Sequence, residues 1–259
     1  MYERNLAEKY KDYDDRLLVN SILDAAEYCV KNFTVKHTHF LDPRQQNITA
    51  EILGKLKGVC YFFDGGIEEA ERKICFLYHE DIDNISADTA ISKIRFSWFE
   101  AGKKLSHRDF LGSFIGSGIK REMIGDIILE DNAAYLICKS EILSFILLNI
   151  SRIGNIAVRS QVMQDDIRKT DNYKHISTTV SSLRLDCIIG SAYGISRSKA
   201  LEAVKGGKVK LNWEDTDSPS REVKPGDTIS LRGKGRAVLE EVSGNTKKDR
   251  IKISIKKFI

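Results

Sequence analysis

The sequence predicts an α+β protein of several domains, and three observations predict it. Apolar residues near the N-terminus recur at helical spacing, residues 91 to 163 alternate strand-like and helix-like patterns, and the chain ends in two short helices followed by period-two strands. The expected division is a mixed α/β domain over 1–88, a β-α-β-β-α-β domain over 89–165, a linker over 166–180 and a basic module over 181–259. With 259 residues, 42% hydrophobic and 30% charged, the composition is that of an ordinary globular protein. Net charge is +4 overall, yet it runs from −6 over residues 1–90, through +3 over 91–180, to +7 over 181–259. Any surface for a polyanion is therefore expected at the C-terminal end.

Residues 1 to 57 read as helical: Leu17, Ile22, Ala26 and Val30 recur near helical spacing, and Asp42-Pro43 opens a second helix. GVCYFFDGG and RKICFLYHE are β-favouring runs around the acidic EEAE segment, which predicts strand, helix, strand ending near Asp83. Asp64-Gly65-Gly66 lacks the other residues of a phosphate loop and reads as a turn. His37 and His39 stand alone in sequence and read as part of a surface loop.

From Ile91 the order is SKIRFSWFE as strand, SHRDFLGSFIGSG as a helix capped by Ser106, IGDIILED and AAYLICK as strands joined at Asp131-Asn132, SEILSFILLNISRIG as helix and NIAVRSQVM as strand. That is the split β-α-β pattern of ferredoxin-like, RNA-recognition-motif-like domains, with a four-stranded antiparallel sheet backed by two helices. Such domains stack bases on strand aromatics. Phe96, Trp98, Phe99 and Tyr135 are available for that role, with core packing the other reading. His107-Arg108-Asp109 mimics a kinase catalytic loop, but the companion motifs of a kinase are absent from the sequence. Lys120-Arg121 falls in the connection after the first helix and is a possible secondary phosphate contact; a polar loop is the alternative.

Ser182 to Val209 carries the strongest signal. Leu183, Cys187 and Ile188 give the first helix an apolar face, Ala200, Leu201 and Val204 the second; Ser196 caps the second and Gly206-Gly207 stops it. Arg197 and Lys199 then fall in its first turn, where the helix dipole disfavours a cation by about 0.3–1 kcal/mol. Free backbone N–H groups, a helix N-terminus and two basic side chains suit an anion such as phosphate. Farther on, Arg232-Gly233-Lys234-Gly235-Arg236 puts three cations on a glycine-rich turn, which reads equally as a phosphate contact or as a soluble edge turn.

At Arg184-Leu185-Asp186, Ser196-Arg197-Ser198-Lys199-Ala200, Gly207-Lys208-Val209-Lys210-Leu211-Asn212 and Lys224-Pro225-Gly226-Asp227-Thr228-Ile229 the chain resembles the ribosomal-protein-S-four type RNA-binding domain. The resemblance implies RNA contacts at Arg184, Arg197, Ser198, Lys199, Lys205, Lys208, Lys210 and Asn212. With LSHRDFLGSFIGSGIKRE, LNW and LRGKGR added, the whole chain resembles the bacterial YlmH family. It has Leu where Val is expected before the Asn-Trp pair, and Lys where the glycine-rich turn often has an aromatic, which weakens stacking there. The family resemblance implies a non-catalytic binder of structured ribosomal RNA and tRNA on the large ribosomal subunit, acting on stalled translation.

The alternative is an RNA-modifying enzyme of pseudouridine synthase or methyltransferase type. Arg184-Leu185-Asp186 resembles a pseudouridine synthase triplet without its continuation, and no glycine-rich methyltransferase loop follows a strand. A third reading makes the acidic N-terminal domain an adaptor for a protein partner. Five scattered cysteines (Cys29, Cys60, Cys75, Cys138, Cys187) argue against a zinc site or disulfide framework. The start is charged, unlike a signal peptide, and apolar runs are too short to span a bilayer. The expectation is a cytoplasmic monomer with no cofactor, no metal, no membrane contact and RNA as partner.

Overall fold

In the computed structural model, which describes residues 4–83, 85–87, 89–99, 104–165, 167, 173–246 and 249–258, the first long helix is α1 (Tyr13–Asn32). It starts at Asp12, whose carboxylate accepts the backbone N–H of Asp14 at 2.8 Å and of Asp15 at 3.2 Å. Its apolar stripe, Val19, Ile22, Leu23, Ala26 and Cys29, is buried. Strand β1 (Val35–Leu41) follows, inside the stretch expected to be helical through residue 57. Only Phe40 and Leu41 of β1 are buried, so its polar half hides the period-two signal; His37 and His39 lie on this strand and not in a loop. Helix α2 (Pro43–Leu53) begins as expected, with Asp42 and Gln45 forming a capping box and Pro43 in the first turn. Strands β2 (Val59–Asp64) and β3 (Lys73–His79) complete an antiparallel sheet in the order β1-β3-β2. No helix forms in the acidic connection between them: Gly66 N–H donates to the Asp64 carboxylate at 2.6 Å, making the expected turn, and β2 pairs directly with β3.

The next strand is β4 (Ile91–Ser97), and α3 (His107–Gly116) follows it with Ser106 and Asp109 as a capping box. Asp109 is thus a helix cap, its carboxyl held below the ordinary range by the Ser106 hydroxyl and N–H. Strands β5 (Ile124–Leu129) and β6 (Ala133–Lys139), helix α4 (Leu143–Asn149), the short β7 (Arg152–Ile153) and β8 (Ile156–Ala157), and β9 (Arg159–Met163) follow. The sheet order β5-β6-β4-β9, antiparallel throughout, is the ferredoxin-like arrangement. Its second helix is shorter than the sequence suggests, because residues 152–157 turn back as the β7-β8 hairpin.

The N-terminal and ferredoxin-like parts belong to one compact unit, residues 1–169. Phe40, Ile74 and Phe76 share a core with Ala90, Ile91 and Ile137. Gly125 admits this contact, since a Cβ there would stand 2.7 Å from the Phe40 ring. Asp126, 9% exposed, accepts the N–H of Glu71 at 2.9 Å and of Arg72 at 3.0 Å, while Arg72 donates to Phe40 O at 2.7 Å and Ile124 O at 3.1 Å.

The second unit, residues 170–259, contains β10 (Tyr173–Val180), α5 (Leu185–Tyr193), α6 (Arg197–Lys205), β11 (Val209–Leu211), β12 (Glu214–Asp215), β13 (Thr228–Leu231), β14 (Gly235–Asn245) and β15 (Ile251–Phe258). Its sheet runs β10-β15-β14-β13-β11-β12. Residues 173–180, expected to be linker, are an edge strand paired along their whole length with β15; residues 166 and 168–172 of that linker lie outside the described residues. Ile188, Ile189, Ala192, Ala200 and Val204 of the two helices share a core with Ile229, Leu239, Ile253 and Ile255 of the sheet. No helix of the described residues is long and apolar enough to cross a membrane.

Candidate nucleic-acid interface

The junction of α5 and α6 is built around a buried carboxylate. Leu185 and Asp186 donate their N–H groups to Arg221 O at 2.8 Å and Pro219 O at 3.0 Å, so a loop carbonyl pair caps the start of α5. This fixes Asp186 at 1% exposure. Its carboxylate accepts Arg184 Nε at 3.1 Å, Arg184 Nη2 at 3.2 Å and Arg197 Nε at 3.0 Å. Burial pushes the Asp186 carboxyl up, but the hydrogen bonds and charges of Arg184 and Arg197 outweigh it and hold the group below the ordinary range. Bonded to Asp186, the Arg197 guanidinium is held above its ordinary value. The anion that the first turn of α6 calls for is thus partly the protein's own. The side chain of Arg197 is still 59% exposed, that of Arg184 39%, and the trio retains a net charge of +1.

Beside this trio, Ser196 caps α6 through Lys199 N–H at 3.3 Å, and Ser198 and Lys199 are exposed. Lys199 has no ion-pair partner among the described residues, so its unfavourable place against the helix dipole is uncompensated. Glu202 stands on the same exposed stripe between Ser198 and Lys205.

A second cationic group forms at the other end of α6. Lys205 ends the helix, and Gly207, at φ 63°, turns the chain into β11. Arg232 N–H donates to Lys208 O at 2.9 Å, which joins this turn to the Arg232–Arg236 hairpin, itself bent by Gly233 and Gly235 at φ 81° and 82°. Lys205, Lys208, Arg232 and Lys234 are exposed and lack ion-pair partners among the described residues. Tyr193 secures the hairpin to α5: its hydroxyl lies 2.8 Å from Ile229 O and 3.0 Å from Gly235 O, and burial pushes the phenol up. The two groups are separated by the length of α6, roughly 13 Å at 1.5 Å per residue. Lys210 pairs with Asp215 at 3.3 Å on the surface, and Arg236 lies 5.2 Å from the Phe258 ring centroid.

Asn212 has an internal task. With Trp213 it forms the tight turn between β11 and β12, at φ 51° and 65°, and its side chain donates to Asp227 at 2.8 Å and accepts Thr228 N–H at 2.8 Å. Arg121 is likewise internal: it donates to Ile124 O at 2.6 Å and Gly125 O at 3.3 Å, and burial pushes its guanidinium down to about 10. Lys120 is exposed, 3.9 Å from Glu122. Phe96 and Trp98 pack in the core against Phe110 and cannot meet a base; Phe99 is 83% exposed and Tyr135 half-buried.

Two features escaped sequence reasoning. In sequence Asp186 stands out only as part of a triplet, although its place two residues after Arg184 and eleven before Arg197 is a signal for the pair. Tyr173 and His175 fall in a polar stretch that reads as linker, which hides their juxtaposition with β15. Among the described residues no group of His, Cys, Asp and Glu is arranged to hold a metal, and the five cysteines are unpaired.

Family models match in three consecutive stretches: "YlmH, N-terminal" over residues 14–82, "Putative RNA-binding domain in YlmH" over 86–166, and "S4 domain" over 183–229. The chain is 32% identical over 252 residues to the ribosome-associated protein quality control protein P2 of Bacillus subtilis, covering 94% of this chain and 95% of that one. A shorter similarity, 36% over 69 residues, links 27% of it to 29% of the human mitochondrial transcription rescue factor 1. The solved structure of the cell division protein ylmH from Streptococcus pneumoniae covers 63% of this chain and 95% of its own at TM-score 0.50 and 21% identity, a likeness of fold. Matched across nearly its full length by such a relative and by all three domain models, the chain belongs to the YlmH family, with an S4 domain at its C-terminal end.

Proposed function

We propose that this protein is a non-catalytic binder of structured ribosomal RNA and tRNA on the large ribosomal subunit, working in the quality control of stalled translation. The observation that carries the reading is the C-terminal unit's display of exposed cations, Lys199, Lys205, Lys208, Arg232 and Lys234, beside the Asp186-anchored guanidiniums. The ribosome-associated relative of nearly equal extent supports the setting. Cations of this kind neutralise phosphates and release counterions, with little base readout because side chains cannot enter the deep groove of A-form RNA. Arg184, Arg197, Ser198 and Lys199 form one contact group and Lys205, Lys208, Arg232 and Lys234 the other; Lys210 and Arg236, aligned across Ser230 on the sheet face away from α5 and α6, stand apart from both. Arg121 and Asn212, held internally, are left out.

The enzyme alternative would use Asp186 as its acid or nucleophile. A carboxylate 1% exposed and clasped by two arginines is a structural anchor, which counts against that role. The test is co-sedimentation with isolated large subunits at rising salt. Retention should fall steeply with ionic strength and drop further in a Lys199→Ala, Lys208→Ala, Arg232→Ala variant; salt-independent retention, or none, refutes the reading.

A further inference from the structure

The C-terminal sheet has two unlike faces. Ile176, Val180, Ile251, Ile253, Ile255, Ala237 and Leu239 point into the core with α5 and α6. By strand alternation Tyr173, His175, Lys252, Lys256, Phe258 and Arg236 lie on the other face, which no helix of this unit covers. The register sets Tyr173 opposite Phe258, and the next strand brings Arg236 to 5.2 Å from the Phe258 centroid. Lys256 stands 3.9 Å from the Tyr173 ring centroid and 5.4 Å from that of Phe258, and His175 meets Tyr173 edge-on at 5.0 Å. Tyr173 is 43% exposed, a large ring kept at the surface.

We propose that this patch of Tyr173, Phe258, Lys256 and Arg236 binds an unpaired stretch of RNA, stacking bases on its rings and holding the neighbouring phosphates on its cations. The inference rests on the reading that the protein binds RNA, and adds a second ligand form to it: single strand on the sheet face, folded RNA on the helix side. Charge selects the occupant. Arg236, Lys252 and Lys256 face outward against two acids, Glu240 and Glu241, which the bulge in β14 brings to the same face; Glu240 is paired with His175 at 2.9 Å and accepts the Ser254 hydroxyl at 3.2 Å, so the face keeps a net positive charge. Aromatic rings interleaved with cations on an open sheet suit a base-and-phosphate chain, since every base offers a face to stack and every linkage a negative charge.

The experiment compares the intact protein with its Tyr173→Ala, Phe258→Ala double variant by fluorescence anisotropy, using labelled oligoadenylate, an abasic ribose-phosphate oligomer of equal length and a blunt RNA hairpin. The double variant should bind oligoadenylate about tenfold more weakly, the scale of one lost base stack, and the hairpin within about twofold of the parent. A Tyr173→Trp variant, keeping a ring, should retain oligoadenylate binding, which separates loss of stacking from loss of folding. The proposal is overturned if the double variant keeps its oligoadenylate affinity, if the parent binds the abasic oligomer as tightly as oligoadenylate, or if hairpin binding falls by the same factor. A parent that binds the hairpin alone removes only the stacking face, whereas one that binds no RNA removes the reading beneath it.

Discussion

Two regions of this molecule use arginine and aspartate in opposite ways. Where the N-terminal sheet meets the ferredoxin-like domain, Arg72 and Arg121 are sunk among backbone carbonyls and Asp126 accepts backbone N–H groups, so each charge is consumed by internal hydrogen bonds. Between α5 and α6 only the carboxylate is buried; Asp186 holds two guanidiniums whose outer parts remain in solvent. Both regions offer the same sign in sequence, an arginine within two residues of an acid: Glu71-Arg72 and Arg121-Glu122 in one, Arg184 and Asp186 in the other. What separates them is where the donors go, inward to carbonyls in one and outward past a carboxylate in the other.

The largest expected effect breaks the first region. Asp126→Ala leaves the Glu71 and Arg72 N–H groups without their acceptor, removes the negative charge near the Arg72 and Arg121 guanidiniums, and should destabilise residues 1–169 by about 3 kcal/mol, read as the denaturant midpoint. RNA affinity of the folded fraction should stay unchanged, because this region's charges face inward. Asp186→Asn, next in size, should cost about 2 kcal/mol in the C-terminal unit through two weakened charge-assisted contacts. Its pH dependence has a definite sign. A carboxyl depressed in the folded state stabilises above its unfolded value, about 3.9, and that contribution disappears as pH falls through the lower folded value. Wild type should lose stability on acidification below about pH 4 more steeply than Asp186→Asn. Hairpin affinity in this variant sharpens the comparison: it should fall, although the protein gains positive charge, because Asp186 aims the guanidiniums. A rise would make Asp186 a mere counter-ion.

The cap at Ser196, the glycine stop after α6, the Asp42-Pro43 start of α2 and the β-α-β-β-α-β order are all legible, because each depends on residues close together in sequence. Strand β10 is not, since YKHISTTV is polar on its exposed side and its apolar partners in β15 lie more than seventy residues away. Strand β1 is hidden in the same way. In the interface, exposed cations such as Lys199 and Lys208 follow from pattern alone. The inward turn of Arg121 does not: its acceptors, Ile124 O and Gly125 O, are only three and four residues on, but what buries the guanidinium there lies far away in sequence, in the Arg72 and Phe40 side chains that meet the same stretch.

Single lysines give smaller effects and place the boundary of the outward-facing region. Lys199→Ala should weaken hairpin binding about fivefold and lower the slope of log affinity against log salt by about 0.9, the signature of one lost phosphate contact. Stability should hardly change, since removing a cation from the first turn of α6 relieves an unfavourable dipole interaction. Lys120→Ala is the smallest. This residue sits beside Arg121 in sequence, but its side chain is 78% exposed and only 3.9 Å from Glu122, a surface contact worth less than about 0.5 kcal/mol. Stability and salt slope should both match wild type. A slope reduced as much as in Lys199→Ala would give the ferredoxin-like domain its own phosphate contact, and the line between an inward-facing unit and a displayed one would have to be redrawn through the connection after α3.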